Sequence, residues 1–291
     1  MTQHGNLRSI LNGRLIFGPD VRFPIGTSFL LILPVVLTIS NESRFVQSPS
    51  LMWLTLSLWA SALYSFFLAA FSDPGVIARQ TSTDHFPDEF RPSSLPETVG
   101  NINLTRKWCS TCNIYRPLRA SHCSVCDCCI KQMDHHCPWL GICVGSRNHR
   151  SFVLFSVSTS LLGFALSVMI VYGTMVEYRN ANEGDWMRTF FGRPHRYPIL
   201  LISAMAGLMC GNLSLYHLYL IVIGRTTHEY LKKEYPDGNP FDRGVWANCI
   251  GFWFSSDVKS EWSSSSGYAE MTRLVVGRLS GTTPSGGSLV E

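Results

Sequence analysis

A dense cluster of metal-binding and nucleophilic side chains lies in the middle of this sequence. Eight of the ten cysteines are interspersed there with three histidines. The full set is Cys109, Cys112, His122, Cys123, Cys126, Cys128, Cys129, His135, His136, Cys137 and Cys143. Three Cys-x2-Cys pairs have the spacing that lets two thiolates reach one tetrahedral zinc ion. Two closed zinc sites would use eight of these eleven residues, although counting does not decide which three are left over.

The surplus residues predict a second kind of chemistry. A free thiol has a pKa near roughly 8.5 and is mostly protonated at neutral pH, so a nucleophilic cysteine needs a base beside it. His135 and His136 precede Cys137, and Asp134 precedes them. A carboxylate can hold a base histidine in its useful tautomer. The sequence therefore predicts Cys137 as a nucleophile, with one histidine as its base and the other free to bind metal.

Two other interpretations use the same residue types. Disulfide bonds could pair the cysteines, but they do not persist in a reducing cytosol, where the charge distribution places this segment. A non-catalytic, zinc-containing membrane scaffold would need both metal sites and no nucleophile. Replacing Cys137 with serine separates the scaffold from an enzyme, since zinc content should survive while the chemistry vanishes.

The elements that must position this cluster are predicted to be membrane helices. Hydrophobic residues make up 46% of the 291-residue chain and charged residues only 15%, against roughly one quarter in soluble domains. Four apolar stretches carry no Asp, Glu, Lys or Arg: Ile25–Ser40, Leu51–Phe71, Phe152–Val176 and Ile199–Ile223. The three longer ones can cross a hydrocarbon core of roughly 30 Å, and the first can do so with a few flanking residues. These stretches lack paired charges, which argues against a transporter.

The positive charges predict the orientation of these helices. Nineteen of the 24 Lys and Arg residues lie before the first stretch, between the second and third, or after the fourth. Cytosolic loops are the ones enriched in Lys and Arg, so both termini and the cysteine-rich loop are expected in the cytosol. This bias accounts for the net charge of +4, and no nucleic acid is expected as a partner.

The cysteine-rich segment resembles that of the DHHC-type protein S-acyltransferases. The matching pattern is Cys109-x2-Cys112-x9-His122-Cys123-x2-Cys126-x2-Cys129-x4-Asp134-His135-His136-Cys137-x5-Cys143-x4-Asn148-x3-Phe152. Flanking motifs agree, namely Asp73-Pro74-Gly75, Thr226-Thr227-His228-Glu229, and Asn239-Pro240-Phe241 with Asn248. The flanks are most similar to the branch with the fungal Ras palmitoyltransferase and plant S-acyltransferases. Cys128 and Ile142 depart from the usual pattern without altering a ligand or catalytic position.

The resemblance implies roles for individual residues. Two structural Zn²⁺ ions would each be bound by three cysteines and one histidine. The implied sets are Cys109, Cys112, His122 and Cys129 for one ion, and Cys123, Cys126, His136 and Cys143 for the other. Cys137 would be the nucleophile, His135 its base and Asp134 the orienting carboxylate. Supporting roles fall to Thr226, Thr227, Glu229 and Asn248, with Thr227 expected to contact Asp134.

The implied activity is protein S-palmitoylation. A long-chain acyl group would pass from acyl-CoA, the co-substrate, to Cys137 and then to a cysteine of a protein substrate. The expected partners are the lipid bilayer, long-chain acyl-CoA and membrane-associated proteins with cytosolic cysteines, with room for an accessory subunit. The expected location is the endomembrane system, with the ER or Golgi ahead of the plasma membrane or vacuole.

Four further residues have two interpretations each. Lys131, Arg147 and Arg150 could bind the phosphates of CoA or serve as interfacial anchors. His217 lies within the fourth apolar stretch, where an ionisable residue suggests function. A neutral, hydrogen-bonded packing role is favoured for it, because no motif of the resemblance includes it.

The predicted fold is an all-α polytopic membrane protein, with four transmembrane helices and a cytosolic zinc-stapled domain between helices 2 and 3. The chain divides into a cytosolic N-terminal segment (1–24), helices 1 and 2 (25–71), an irregular cytosolic connector (72–106), the cysteine-rich zinc domain (107–152), helices 3 and 4 (153–223), a cytosolic segment with the flanking motifs (224–255) and a disordered tail (256–291).

Overall fold

Four long apolar helices form the framework of the chain in this computed structural model. The structure describes residues 2–11, 13–43, 48–80, 92–180, 186–236 and 238–255, so the tail predicted to be disordered lies outside the described residues. The long helices are α1 (Arg22–Glu42), α2 (Pro49–Phe71), α3 (His149–Asn180) and α5 (Arg196–Val222), and a short α4 (Trp186–Phe191) precedes α5. Each long helix is long and apolar enough to cross a membrane. The prediction of four such helices is confirmed, and the chain is an integral membrane protein.

The central helix is α3, which packs against α1, α2 and α5. A Cβ on Gly163 would lie 2.5 Å from the carbonyl oxygen of Ser203 in α5, so only glycine allows this approach. Across the same interface, Ser160 donates a hydrogen bond of 2.8 Å to the carbonyl oxygen of Gly207. Small residues and hydroxyl groups bring apolar helices together where lipid supplies no hydrophobic driving force between them.

A buried ion cluster joins three helices at the end of the bundle away from the cysteine-rich segment. Arg196 of α5 donates hydrogen bonds of 2.7 and 2.8 Å to the two carboxylate oxygens of Glu42 in α1, and one of 2.6 Å to Glu177 of α3. Arg196 and Glu42 are 4% and 1% exposed. The helices run beyond the uncharged stretches here, where Arg196 pairs with both Glu42 and Glu177.

The prediction of an all-α protein is wrong, because the described residues also form eleven strands in four antiparallel sheets. The strands are β1 (Thr2–His4), β2 (Leu7–Ile10), β3 (Leu15–Phe17), β4 (Val76–Ile77), β5 (Ser94–Val99), β6 (Ile102–Cys109), β7 (Ile114–Tyr115), β8 (Ser121–Cys123), β9 (Cys128–Ile130), β10 (His135–Cys137) and β11 (Ile142–Val144). Most of them are too short to show the alternation of polar and apolar residues that indicates a strand in a sequence.

The connector predicted to be irregular contains an antiparallel hairpin of β5 and β6. Its register places Ser94 opposite Lys107, and Gly100 forms the turn with a φ of +58°. Pro96 favoured a loop in the sequence, but it lies in an edge strand, where a missing N–H need not interrupt the hydrogen-bond ladder.

Elements from both ends of the chain hold the cysteine-rich segment. Asn6, between β1 and β2, donates hydrogen bonds of 2.9 Å to the carbonyl oxygens of Cys126 and Val125. Thr27 of α1 donates one of 2.8 Å to the carbonyl oxygen of Trp139. After α5, the short helices α6 (Thr227–Lys232) and α7 (Val245–Phe254) complete the fold. The segment is therefore fixed at one end of the helix bundle.

Candidate active site and metal centres

The first cluster of metal-binding side chains forms around the hairpin of β8 and β9. The Sγ atoms of Cys109, Cys112 and Cys129 lie 3.6, 3.4 and 3.8 Å from Nδ1 of His122. The other ring nitrogen of His122 lies 3.7 Å from a carboxylate oxygen of Asp127. A carboxylate in this place orients a metal-binding imidazole.

The second cluster forms where β10 pairs with β11. The Sγ atoms of Cys123, Cys126 and Cys143 lie 3.7, 3.4 and 3.7 Å from Nδ1 of His136. The two clusters interleave because His122 and Cys123 are neighbours on β8, and neighbours on a strand point to opposite faces. The structure thus brings together both sets of four residues that the family resemblance implied.

Both clusters fit a tetrahedral zinc ion. With Zn–S bonds of about 2.3 Å and Zn–N bonds of about 2.0 Å, sulfur and nitrogen ligands lie roughly 3.5 Å apart. The sulfur–nitrogen distances of 3.4 to 3.8 Å agree with that value. The hydrogen bond between Cys112 and Cys129 lowers the pKa of the Cys112 thiol to about 5 and raises the pKa of the Cys129 thiol, because the two neighbouring thiols share one proton. All ten cysteines are free thiols, which argues against the disulfide interpretation.

Strand β10 separates a metal-binding residue from a potential nucleophile. His135 and Cys137 lie on one face of the strand, and His136 lies on the other, in the second cluster. His135 interacts with Cys137, and this interaction is one of those that raise the pKa of the imidazole. Cys137 is 5% exposed and belongs to neither cluster. A thiol beside an imidazole is the arrangement of a cysteine nucleophile and its base.

Asp134 adds a buried carboxylate to this pair. Its Oδ2 lies 2.7 Å from Nδ1 of His135, and its Oδ1 accepts a hydrogen bond of 2.8 Å from the backbone N–H of Thr227. Burial favours the neutral acid, but interactions with His149 and His135 outweigh it and hold the pKa of Asp134 well below its ordinary range. The ionised carboxylate keeps the proton of His135 on Nδ1 and leaves Nε2 for the thiol.

The same interactions make His135 a strong base. Burial lowers the pKa of His135, but hydrogen bonds with Asp134 and Cys137, together with their charges, outweigh burial and raise it to about 9. The ring also packs edge-on against Phe152, with 5.0 Å between the centroids. A base of this strength, held in one orientation, favours transfer of the thiol proton to the imidazole at neutral pH.

A capping box and an ion pair hold α6 against the site. The hydroxyl of Thr226 accepts a hydrogen bond from the N–H of Glu229 at 3.2 Å, and the Glu229 carboxylate accepts one from the N–H of Thr226 at 2.8 Å. Arg119 donates two further hydrogen bonds to Glu229, at 2.6 and 2.7 Å. The contact expected between Thr227 and Asp134 is present, and the Thr227 backbone makes it.

Asn248 lies outside the reacting groups and ties α7 to the end of α5. Its side-chain amide donates a hydrogen bond of 2.8 Å to the carbonyl oxygen of Val222 and accepts one of 3.0 Å from the N–H of Arg243. Gly224, with a φ of +65°, passes so close that a Cβ there would lie 3.2 Å from the amide. Asn248 therefore joins the start of α7 to the end of α5.

The two departures from the family pattern are both buried. Burial raises the pKa of the Cys128 thiol, and Cys128 lies outside both clusters, so it stays protonated. Ile142 lies directly opposite Cys137 in the pairing of β10 with β11 and is fully buried. It gives Cys137 an apolar neighbour.

Two of the residues considered for CoA phosphates have partners within the protein. Arg147 lies 3.4 Å from a carboxylate oxygen of Asp73, and Arg150 donates a hydrogen bond of 2.8 Å to the carbonyl oxygen of Ser255. Lys131 lies in the turn after β9. The two arginines tie the start of α3 to the segments around it.

Three side chains at the site were not predicted as functional. Arg119 binds Glu229, and the imidazoles of His149 and His217 lie 3.7 and 4.0 Å from carboxylate oxygens of Asp134. The hydrogen bond expected for His217 is made with His149, at 3.3 Å. The signals that the sequence offered were the place of His217 within an apolar stretch and the place of His149 directly after Asn148. Neither position indicated which group the imidazole would face.

The fold and site define a class of integral membrane proteins that carry two Cys/His metal centres beside a cysteine–histidine–aspartate arrangement. Residues 102–234 match the family model of the DHHC palmitoyltransferases. This segment therefore carries the domain that defines that family, as its cysteine-rich pattern predicted.

Named relatives agree with this domain match. The chain is 31% identical over 268 residues to probable protein S-acyltransferase 5 of Arabidopsis thaliana, a match that covers 84% of the chain and 56% of the relative. It is 34% identical over 256 residues to protein S-acyltransferase 8 of the same plant, covering 78% and 61%. It is 37% identical over 240 residues to palmitoyltransferase ZDHHC8 of Mus musculus, covering 79% and 30%. The match thus spans only about six tenths of the plant relatives and less than a third of ZDHHC8.

Proposed function

We propose that this protein is a protein S-acyltransferase that moves a long-chain acyl group from acyl-CoA to cysteines of other proteins through a thioester on Cys137. The observation that carries the proposal is that Asp134 is hydrogen-bonded to His135 and that His135 interacts with Cys137, outside both zinc-type clusters. The names of the relatives, S-acyltransferase and palmitoyltransferase, describe the same chemistry in those proteins.

In the first step the acyl group is loaded onto the enzyme. Cys137 transfers its proton to His135, and the thiolate attacks the carbonyl carbon of the acyl-CoA thioester. The carbon–sulfur bond to CoA breaks, and the departing thiolate takes the proton from the His135 imidazolium. Asp134 keeps the ring in place and stabilises its positive charge.

In the second step the acyl group is passed to a protein. A substrate cysteine gives its proton to His135 and attacks the acyl carbonyl carbon, and Cys137 leaves as a thiolate that regains the proton. One thioester replaces another in both steps, so no further reactant is needed. Zinc bound by the two clusters would fix the strands that carry these residues and takes no part in the bond changes.

The position of the site suits a substrate with an apolar tail. The loop after Cys137 is bonded to α1 through Thr27, and Asn148 at the start of α3 donates a hydrogen bond of 3.0 Å to the carbonyl oxygen of Ala69 in α2. The thiol thus lies where the apolar helices end. At about 0.8 kcal/mol per methylene, a sixteen-carbon chain gains on the order of 10 kcal/mol by leaving water for this region.

The distribution of Lys and Arg supports a cytosolic site. With nineteen of the 24 positive residues on one side, both termini and the cysteine-rich segment face the cytosol in this proposal. The substrates are then membrane-associated proteins with cytosolic cysteines, and the location is the endomembrane system, in the first place the ER or Golgi.

The decisive experiment is the transfer of labelled palmitate from palmitoyl-CoA to the purified protein in detergent. We expect hydroxylamine-sensitive label on the wild type and none on Cys137→Ser. Cys128→Ser is the matched control, because Cys128 is an equally buried thiol outside both clusters, and it should load like the wild type. All three proteins should carry two zinc ions.

Two results would contradict the proposal. A loss of zinc from Cys137→Ser would make Cys137 a metal ligand. Absence of label on a wild type that carries both zinc ions would favour the non-catalytic scaffold.

A further inference from the structure

An imidazole from the fourth spanning helix lies beside the proposed catalytic residues. His217, near the end of α5, is 2% exposed. Its Nδ1 lies 3.3 Å from Nε2 of His149, the first residue of α3. Since an imidazole can donate or accept at either nitrogen, one proton shared between these two atoms links the two helices.

Both imidazoles face the carboxylate that orients His135. Nδ1 of His217 lies 4.0 Å from Oδ2 of Asp134, and Nε2 of His149 lies 3.7 Å from Oδ1. The ring of His217 lies 5.8 Å from that of His135, and Phe152 packs against both rings at 5.0 Å. Asp134, Phe152 and His217 are therefore all neighbours of the imidazole of His135, whose side chain is 27% exposed.

A buried carboxylate needs this polar surrounding. Asp134 is 1% exposed, and hydrogen bonds from His135 and Thr227 use two of the roughly four acceptor positions of its oxygens. The hydrogen-bonded pair of His149 and His217 lies beside the same oxygens and gives the buried carboxylate two further polar neighbours. An apolar side chain at position 217 would remove one of these neighbours and the hydrogen-bond partner of His149 together.

We propose that His217, with His149 as its partner, is a positioning residue that sets the orientation of Asp134 and His135 and thereby the reactivity of Cys137. The inference rests on the proposed function of Cys137 as the nucleophile. The site is then completed by a side chain that the membrane helix contributes, so the packing of α3 on α5 is coupled to the reactivity of the thiol.

The test is the rate at which iodoacetamide alkylates Cys137 as a function of pH, followed by peptide mapping. This reagent reacts with the thiolate and requires no acyl transfer. In His217→Leu, which removes both nitrogens, the rate at neutral pH should fall about tenfold, the effect of roughly one lost hydrogen bond. His217→Asn places an amide where Nδ1 lies and should keep the rate within about threefold of the wild type.

Ser214→Ala is the matched control. It removes a hydrogen bond of 2.9 Å to Ser156 in the same interface of α3 and α5 without touching Asp134. Its pH profile should equal that of the wild type. The His149→Leu variant and the double variant complete a cycle, in which we expect the second substitution to add little to the first, because either one breaks the same contact.

The outcomes separate the inference from a merely structural role. Unchanged alkylation in a zinc-replete His217→Leu protein overturns it. So does an equal loss in His217→Leu and His217→Asn when both keep two zinc ions, since the nitrogen would then not matter. If His217→Leu loses zinc, His217→Asn decides, with a wild-type pH profile supporting the inference and a shifted one overturning it. A wild type whose Cys137 is alkylated rapidly but never acylated overturns the proposed function alone.

Discussion

Asp134 and His135 are expected to set the pH range in which Cys137 can be loaded. Burial alone would lower the pKa of His135, yet Asp134 and Cys137 raise it to about 9. The imidazolium is therefore present below that pH and is lost as the pH rises through it. The proposed loading step depends on this proton, because His135 delivers it to the departing CoA thiolate.

Replacing Asp134 with asparagine should lower the pH above which the loading rate falls. The amide keeps the shape of the side chain but removes the charge that raises the pKa of His135, so the pKa should fall toward the ordinary value of roughly 6.5. We expect the alkaline limb of the loading rate, measured by CoA release in the first turnover, to move from near pH 9 to lower pH. Glu97→Gln, a half-exposed carboxylate in β5, should leave the profile unchanged. A wild-type profile in Asp134→Asn would mean that another group limits the step.

At the scale of elements, α6 is a short helix whose stability depends on the contacts of its first turn. Its capping box and its ion pair with Arg119 converge on Glu229, which is 1% exposed. Removing one partner of a buried ion pair costs about 3–5 kcal/mol, whereas losing a capping hydroxyl costs about 1 kcal/mol. The consequence reaches the site because the N–H that binds Asp134 belongs to this turn.

Glu229→Gln should therefore damage the protein more than Thr226→Ala. We expect a lower melting temperature and slower loading of Cys137 in both, with the larger effect in Glu229→Gln. Thr226→Ser keeps the capping oxygen and serves as the control, which should behave like the wild type. If Glu229→Gln melts and loads as the wild type does, the ion pair does not hold α6 in place.

The strands show where element prediction failed. β10 has three residues, all of which were assigned chemistry from their types, and no pattern of three residues indicates a strand. The hairpin of β5 and β6 was not predicted, because Pro96 is as compatible with a loop as with an edge strand. The long helices were predictable because uninterrupted apolar composition over many residues is itself the signal.

For the whole molecule, the helix bundle and the cysteine-rich segment have different sources of stability. The helices are held by close packing of α3 and by the ion cluster around Arg196. The cysteine-rich segment consists mainly of very short strands, and the two clusters of metal-binding side chains connect them. Zinc bound there would fix their arrangement. Metal removal should therefore act on one part and spare the other.

Chelation tests this division. Treating the detergent-solubilised protein with a strong zinc chelator should release two zinc ions and abolish loading of Cys137, while helical circular dichroism is largely retained. Restoring zinc under reducing conditions should recover loading. A parallel loss of helical signal would show that the bundle itself depends on metal.

The sequence alone determined the four apolar helices, the presence of two zinc-type sites and the pairing of a thiol with adjacent imidazoles, because these depend on composition and on spacing within a short segment. Only the tertiary structure decided which face each residue of β10 presents, that Arg119 binds Glu229, and that His217 faces Asp134. The reason is that such contacts join residues far apart in the chain. Their geometry depends on how α3 packs on α5 and on how the cysteine-rich segment contacts the end of the bundle. Local sequence patterns do not predict that packing.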